Sequence, residues 1–183
     1  MRKDFGPKAW VFPQPVLIVG TYDEGKPNAM TAAWAGQYGK NQIVLSLGNN
    51  KTTDNIRRNK AFTVGLATEK TMVSADYVGL VSGNDVPNKV EKAGFTVSKS
   101  YNVNAPVFNE LPLTLECKLV KFNEDGNIIG EIVNAAVDDS LVDGEGNIDS
   151  SNLNAIVYDP INADYYRIGE KVGNAFRDGE KLK

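Results

Sequence analysis

The stretch Leu113-Thr114-Leu115-Glu116-Cys117-Lys118-Leu119-Val120-Lys121-Phe122 is followed by Glu124-Asp125-Gly126-Asn127 and by a second run that reaches Val137. Leu115, Cys117 and Leu119 alternate with Glu116, Lys118 and Val120, the period of a strand with one buried face. Glu124 to Asn127 reads as a hairpin turn, so the two runs form a long antiparallel pair. Cys117 is then a small buried apolar side chain on the Leu115/Leu119 face, with Glu116 and Lys118 on the other.

The same reading extends toward the N-terminus. Val16 to Thr21 is a short β-branched run, Asp23-Glu24-Gly25-Lys26 a turn, and Pro27 to Ala33 the return strand. Gln42 to Leu47 is a further strand, ended by Gly48-Asn49-Asn50, and Ala61 to Leu66 another. Between them Thr52 or Thr53 caps a short helix from Asp54 to Asn59, with Asp54 in its first turn. Ser74 to Tyr77 and Lys89 to Ala93 suit short helices separated by a polar loop, Val81 to Asn88. Phe95-Thr96-Val97 and Asp164 to Gly169 are shorter pieces, and a glycine-punctuated segment runs on to Gly179. Many strands and few short helices predict a mainly β chain, an antiparallel barrel or sandwich. No repeat, low-complexity linker or boundary divides it, so residues 1–183 read as one domain.

Composition narrows the chemistry. Of the 183 residues, 42% are hydrophobic and 23% charged, an ordinary globular balance. Lys and Arg number 20 against 23 Asp and Glu, so there is no overall basic excess pointing to nucleic acid. No apolar run is long enough to span a bilayer, and the first ten residues lack the apolar stretch of a secretory signal. One cysteine permits no intrachain disulfide, which suits the reducing cytoplasm. The chain has no histidine, which excludes a Ser-His-Asp hydrolase, a Cys-His enzyme and a His-ligated zinc enzyme. A lone cysteine likewise excludes a multi-cysteine metal site. Redox or group-transfer chemistry here falls to an organic cofactor.

Several stretches carry polar chemistry. Gly20-Thr-Tyr-Asp-Glu-Gly25-Lys26-Pro27 nearly matches a P-loop, but Pro27 has neither the hydroxyl nor the N–H that the motif needs, so it reads as a hairpin turn. Gly144-Glu-Gly146 has Asp149 where a dinucleotide fingerprint needs its third glycine. Lys51-Thr52-Thr53 puts an ammonium, two hydroxyls and a helix N-terminus together, the ingredients of a phosphate site, although ordinary capping explains it alone. Asn28-Ala29-Met30-Thr31-Ala32-Ala33-Trp34 offers small residues against which a flat ring can lie; taken alone, it reads as close strand packing with Trp34 in the core. Asp76-Tyr77-Val78-Gly79-Leu80-Val81-Ser82-Gly83 followed by Lys89 adds a hydroxyl, backbone donors and a second cation, or simply a surface loop. Tyr165, Tyr166 and Phe176 fit either a core or a site wall.

In order and spacing these segments resemble the flavin reductase-like family of FMN-binding split barrels, in particular its flavoredoxin-type members. The resemblance rests on Pro15-Val16, Pro27 to Thr31 with Trp34, Ser46-Leu47, Lys51-Thr52-Thr53 before Asn55-Ile56, and Asp76 to Gly79. Ser82-Gly83 with Lys89, Leu113 to Cys117, Gly130-Glu131-Ile132 and Gly169 to Phe176 complete it. Many relatives carry Arg or His at the place of Lys51, which keeps the charge but not a bidentate fork. The resemblance implies a split β-barrel, bound FMN and a homodimer with the flavin near the subunit interface. Asn28, Ala29, Met30, Thr31 and Trp34 would line the ring and ribityl chain, and Ser46 and Leu47 would add backbone and hydroxyl contacts. Lys51, Thr52, Thr53 and Lys89 would hold the phosphate, with Asp76, Tyr77, Val78, Gly79, Ser82 and Gly83 completing the pocket. The implied activity is an NAD(P)H-dependent flavin reductase passing electrons to flavin or another acceptor, and no protein residue is assigned acid–base work. The rival readings are an FMN-containing electron carrier serving protein partners and a cofactor-free interaction module.

Overall fold

The computed structural model describes residues 1–183. A two-residue strand β1 (Gln14–Pro15) precedes the hairpin of β2 (Leu17–Asp23) and β3 (Lys26–Ala32). The hairpin turns at Glu24 and Gly25, both at positive φ (48° and 84°), as in a type I′ turn, whose twist matches the flanking strands. Strands β4 (Ala35–Gly39) and β5 (Gln42–Leu45) lead to helix α1 (Lys51–Asn59) and strand β6 (Ala61–Leu66). Helices α2 (Met72–Leu80) and α3 (Lys89–Lys92) follow, then the ribbon of β7 (Val97–Lys99) and β8 (Pro106–Phe108). The long hairpin is β9 (Leu113–Phe122) with β10 (Ile128–Val137), and β11 (Ile156–Asp159) and β12 (Asp164–Arg167) close the chain.

Seven strands form one antiparallel sheet in the order β3-β2-β6-β9-β10-β5-β4. In a flat sheet its two edge strands would lie roughly 29 Å apart. Yet β3 ends at Ala32 and β4 begins at Ala35. Three Cα steps reach at most roughly 11 Å, so the sheet must roll until its edges nearly meet. The mainly β, split-barrel expectation therefore holds.

The inner face packs Val19, Leu45, Ile56, Phe62, Val64, Cys117 and Ile128 into one core, with α1 plugging it through Ile56. Gly130 is required there, because a Cβ would lie 2.4 Å from the Phe62 ring. A second core joins Val16, Ile18 and Ala29 to Ala75 and Val78 of α2, Val90 of α3, Phe95 and Phe108. This second core fixes α2 and α3 over the β2–β3 end of the sheet.

Two local expectations change. Helix α1 begins three residues earlier than Asp54, and its cap is Asn50, whose side chain accepts from the Thr53 amide at 3.1 Å. Thr53 instead donates to the Gly48 carbonyl at 2.8 Å, while Thr52 sits inside the first turn. Asn is at least as good a cap as Thr, and Asn50 has the extended backbone that the cap position takes.

Glu116 does not face solvent: it is 3% exposed, and Thr114 beside it is also buried. The β7–β8 ribbon and residues 100–105 cover what alternation marked as an outer face. The Thr114 hydroxyl finds no partner there. Thr114→Val is therefore expected to raise unfolding stability by about 1 kcal/mol in a urea titration, since it removes an unsatisfied buried hydroxyl.

Candidate functional site

The β3 strand, the first turn of α1, the end of α2 and the start of α3 converge on a cavity of about 280 Å³. Asn28 and Met30 come from β3, Asn50, Lys51 and Thr52 from the helix start, and Val78 to Gly83 from α2 and the loop after it. Lys89 completes the lining from α3.

Lys89 is 4% exposed, and its ammonium donates to the carbonyls of Val78 (3.1 Å) and Val81 (2.8 Å). An ammonium has three N–H groups, so one is left for the cavity that Lys89 lines. Burial pushes its pKa down to about 8, and the positive charge of Lys51 lowers it further toward that value. Lys51 pairs with Asp23 at 2.7 Å. Thr52 accepts from the Asn28 amide at 2.9 Å. Two ammonium groups, a hydroxyl and the positive end of a helix thus share one recess with a single ion-paired carboxylate behind it. That arrangement suits an anion.

Two glycines let the walls approach. A Cβ at Gly83 would lie 2.5 Å from Asn28 Oδ1 and 3.2 Å from the Lys51 stem. A Cβ at Gly79 would lie 3.1 Å from Thr31 Cβ. Thr31 also ties β3 to α2 by donating to the Ala75 carbonyl.

Gly79 and Leu80 also line a second cavity of about 260 Å³, with Val16, Thr31, Ala33, Asp76, Tyr158 and Tyr165. The Tyr165 hydroxyl donates to Asp76 Oδ1 at 2.8 Å. Its pKa is pushed up to about 12, by burial first and then by the hydrogen bond and charge of Asp76. A cationic polar lobe and a more apolar, tyrosine-walled lobe therefore lie side by side, with Gly79 and Leu80 in both linings.

Of the residues singled out in the sequence, the first lobe gathers Asn28, Met30, Lys51, Thr52, Val78, Gly79, Ser82, Gly83 and Lys89. The second takes Thr31 and Asp76. Ala29 is buried in the core, Tyr77 packs against that core, and Thr53 is spent on the helix start. Leu47 packs against the barrel interior and Ser46 lies exposed, neither on the cavity lining. Trp34 is 67% exposed beside the edge strand β4, so it is not a core residue. Asn50, Leu80 and Val81 line the first lobe without having been assigned to the pocket. Leu80 and Val81 lie within the Asp76–Gly83 stretch marked in the sequence, where their apolar side chains gave no reason to assign them. Tyr165 takes the wall position, while Tyr166 is half-exposed and Phe176 fully so.

A rolled seven-stranded sheet with a cationic recess at the α1 N-terminus, beside a tyrosine-walled one, defines a split-barrel protein. Residues 10–155 match the flavin reductase like domain, and the chain belongs to that family. Among solved structures, flavoredoxin of Desulfovibrio vulgaris (Miyazaki F) superposes with a TM-score of 0.93 at 33% identity, covering 98% of this chain and 100% of that one. Flavoredoxin of Methanosarcina acetivorans superposes with a TM-score of 0.89 at 25% identity, covering both chains fully. An uncharacterised protein of Archaeoglobus fulgidus is 30% identical over 129 residues, 67% of this chain and 72% of that protein. Other relatives are longer, and the chain spans about half of their length. No helix is long and apolar enough to cross a membrane.

Proposed function

We propose that this protein is an FMN-binding oxidoreductase of the flavin reductase type, taking hydride from NAD(P)H and passing electrons to free flavin or another acceptor. The observation that carries the reading is the pair of adjacent cavities, one cationic and one tyrosine-walled, that share Gly79 and Leu80 in their linings. A phosphate monoester on a planar ring system has that polarity. FMN supplies electron acceptance from a nicotinamide and release to a second acceptor. Lys51, Lys89 and Thr52 hold its phosphate and offset a charge that is costly to bury alone. Met30, Thr31 and Gly79 present close, uncharged surface for the ring system. Asp76 holds the Tyr165 hydroxyl and so fixes the far wall. In this reading the residues here bind, orient and exclude water, and none is assigned acid–base work.

A second reading, an FMN-containing electron carrier without NAD(P)H turnover, is favoured by the likeness to two flavoredoxins. Anaerobic mixing of FMN-loaded protein with NADH and with NADPH separates the two. Bleaching of the bound flavin's visible absorbance on a catalytic timescale is expected for the reductase and its absence for the carrier; protein that takes up no FMN at micromolar concentration would end both.

We further propose that residues 1–183 act as one domain, that the chain works as a homodimer and that it is cytoplasmic, where its single thiol stays reduced. The accessible surface of one copy is 11763 Å². A compact chain of 19.9 kDa exposes about 8,700 Å². An excess of that size is what an extensive subunit interface would cover.

A further inference from the structure

Two chains of polar contacts leave the anion recess and end on the same side chain, which does not line it. One runs from Lys51 to Asp23 Oδ2 at 2.7 Å, and Asp23 Oδ1 accepts from Arg58 Nη2 at 2.9 Å. The other begins at Thr52, whose hydroxyl accepts from Asn28 Nδ2 at 2.9 Å. Asn28 also donates to Thr21 Oγ1 at 3.3 Å, which accepts from Asn55 Nδ2 at 3.1 Å. Asn55 Oδ1 in turn accepts from Arg58 Nη2 at 2.7 Å. One guanidinium nitrogen thus closes both arms.

We propose that Arg58 is a positioning residue for the phosphate end of the site, fixing Lys51 through Asp23 and Asn28 with Thr52 through Asn55 and Thr21. The proposal rests on the FMN reading above for its ligand, but not for its geometry. Guanidinium can only donate, so the Asn55 carbonyl oxygen must face Arg58 and its NH₂ must face Thr21. Thr21, Asn28 and Asn55 are all buried, where a misdirected amide has no water to turn to. Arg58 itself is half-exposed, on the last turn of α1. Neighbouring Arg57 makes none of these contacts: it pairs with Asp54 at 2.8 Å and lies over the Phe122 ring. It is therefore a control for charge alone.

The test is fluorescence titration of FMN and of riboflavin, which lacks the phosphate, on wild type, Arg58→Met and Arg57→Ala. Arg58→Met keeps the aliphatic stem. It is expected to weaken FMN binding about tenfold, the loss of one charge-assisted positioning contact, with riboflavin unchanged and Arg57→Ala like wild type. Equal losses in the two arginine variants would reduce the effect to net charge and overturn the proposal, as would equal losses for both flavins. The side-chain amide resonances of Asn28 and Asn55 in flavin-free protein provide a readout independent of the ligand. Arg58→Met is expected to shift both, including Asn28, which Arg58 does not touch. An unmoved Asn28 overturns the proposal. Absence of any wild-type preference for FMN over riboflavin, with Asn28 shifted, instead removes the FMN reading and leaves the network standing.

Discussion

Lys89→Met is expected to weaken FMN binding by about 10- to 100-fold and, at the same time, to raise the stability of the flavin-free protein at pH 7 by about 1 kcal/mol. The first effect is the loss of a charge-assisted contact to a buried phosphate. The second follows from the cost of keeping this ammonium in place. A drop from 10.5 to about 8 corresponds to about 3 kcal/mol against folding at neutral pH. Methionine fills the stem volume without that cost, but leaves the Val78 and Val81 carbonyls without their donor, at roughly 1 kcal/mol each. Between pH 8 and 10.5 the unfolded chain holds the Lys89 proton more tightly than the folded one, so this group makes stability rise with pH through that window and leaves it flat below. The rise is absent in Lys89→Met. Comparing the two proteins isolates Lys89 from Tyr165 and Cys117, whose raised values act in the opposite direction at alkaline pH. Urea unfolding at pH 7, 8 and 9.5, beside an FMN titration, checks both halves. A variant that binds FMN like wild type would remove Lys89 from the site, and one that is less stable at pH 7 would mean that its two carbonyl contacts outweigh its burial. A binding group that costs the empty fold stability is the usual mark of a site shaped for its ligand.

Much of this was legible in the chain. The alternation from Leu113 to Phe122, the Glu124–Asn127 turn and the absence of histidine gave the β architecture and excluded imidazole chemistry. Lys51, Thr52, Gly83 and Lys89 could be marked because each brings a charge, a hydroxyl or the lack of a side chain, and all four line one recess. What stayed hidden depends on tertiary contact. Strand β4 is built from Ala35-Gly36-Gln37-Tyr38-Gly39, a composition with little β signal, and it forms because β5 pairs with it. Asn55 and Arg58 look like an exposed helix end in sequence, and only the fold brings Thr21 and Asp23 to meet them. Trp34 misleads in the other direction: a large aromatic invites burial, yet it sits in the two-residue link between the sheet's edge strands. Glu116 misleads most, because alternation marks which residues share a face, not whether another ribbon covers that face.

Glu116→Leu, accordingly, is expected to cost roughly 3 kcal/mol at pH 7, far more than a surface Glu in a strand. Burial by itself would raise this carboxyl, but hydrogen bonds from Ser100, Asn102, Asn134 and the Tyr101 amide outweigh it and hold the group below its ordinary value. Asn102 donates to it directly, and Ser100 Oγ also accepts from the Asn102 and Val103 amides, so the carboxylate organises the 100–105 segment against the sheet. Leucine satisfies none of these donors, and the buried Ser100 hydroxyl is left without its carboxylate acceptor. Glu116→Gln keeps the shape and one acceptor, and is expected to cost only about 1–2 kcal/mol. The sign with pH follows from the lowered value: the contribution is fully present above the unfolded carboxyl's pKa and is lost as the pH falls through the folded one. Wild type therefore loses stability on acidification below about pH 4.3 more steeply than Glu116→Gln does. Urea midpoints of the three proteins between pH 3 and 7 read this out. Equal midpoints for wild type and Glu116→Leu at pH 7 would show that the 100–105 cover is held by Val103 and Ala105 packing on Ala61, with the buried charge adding nothing.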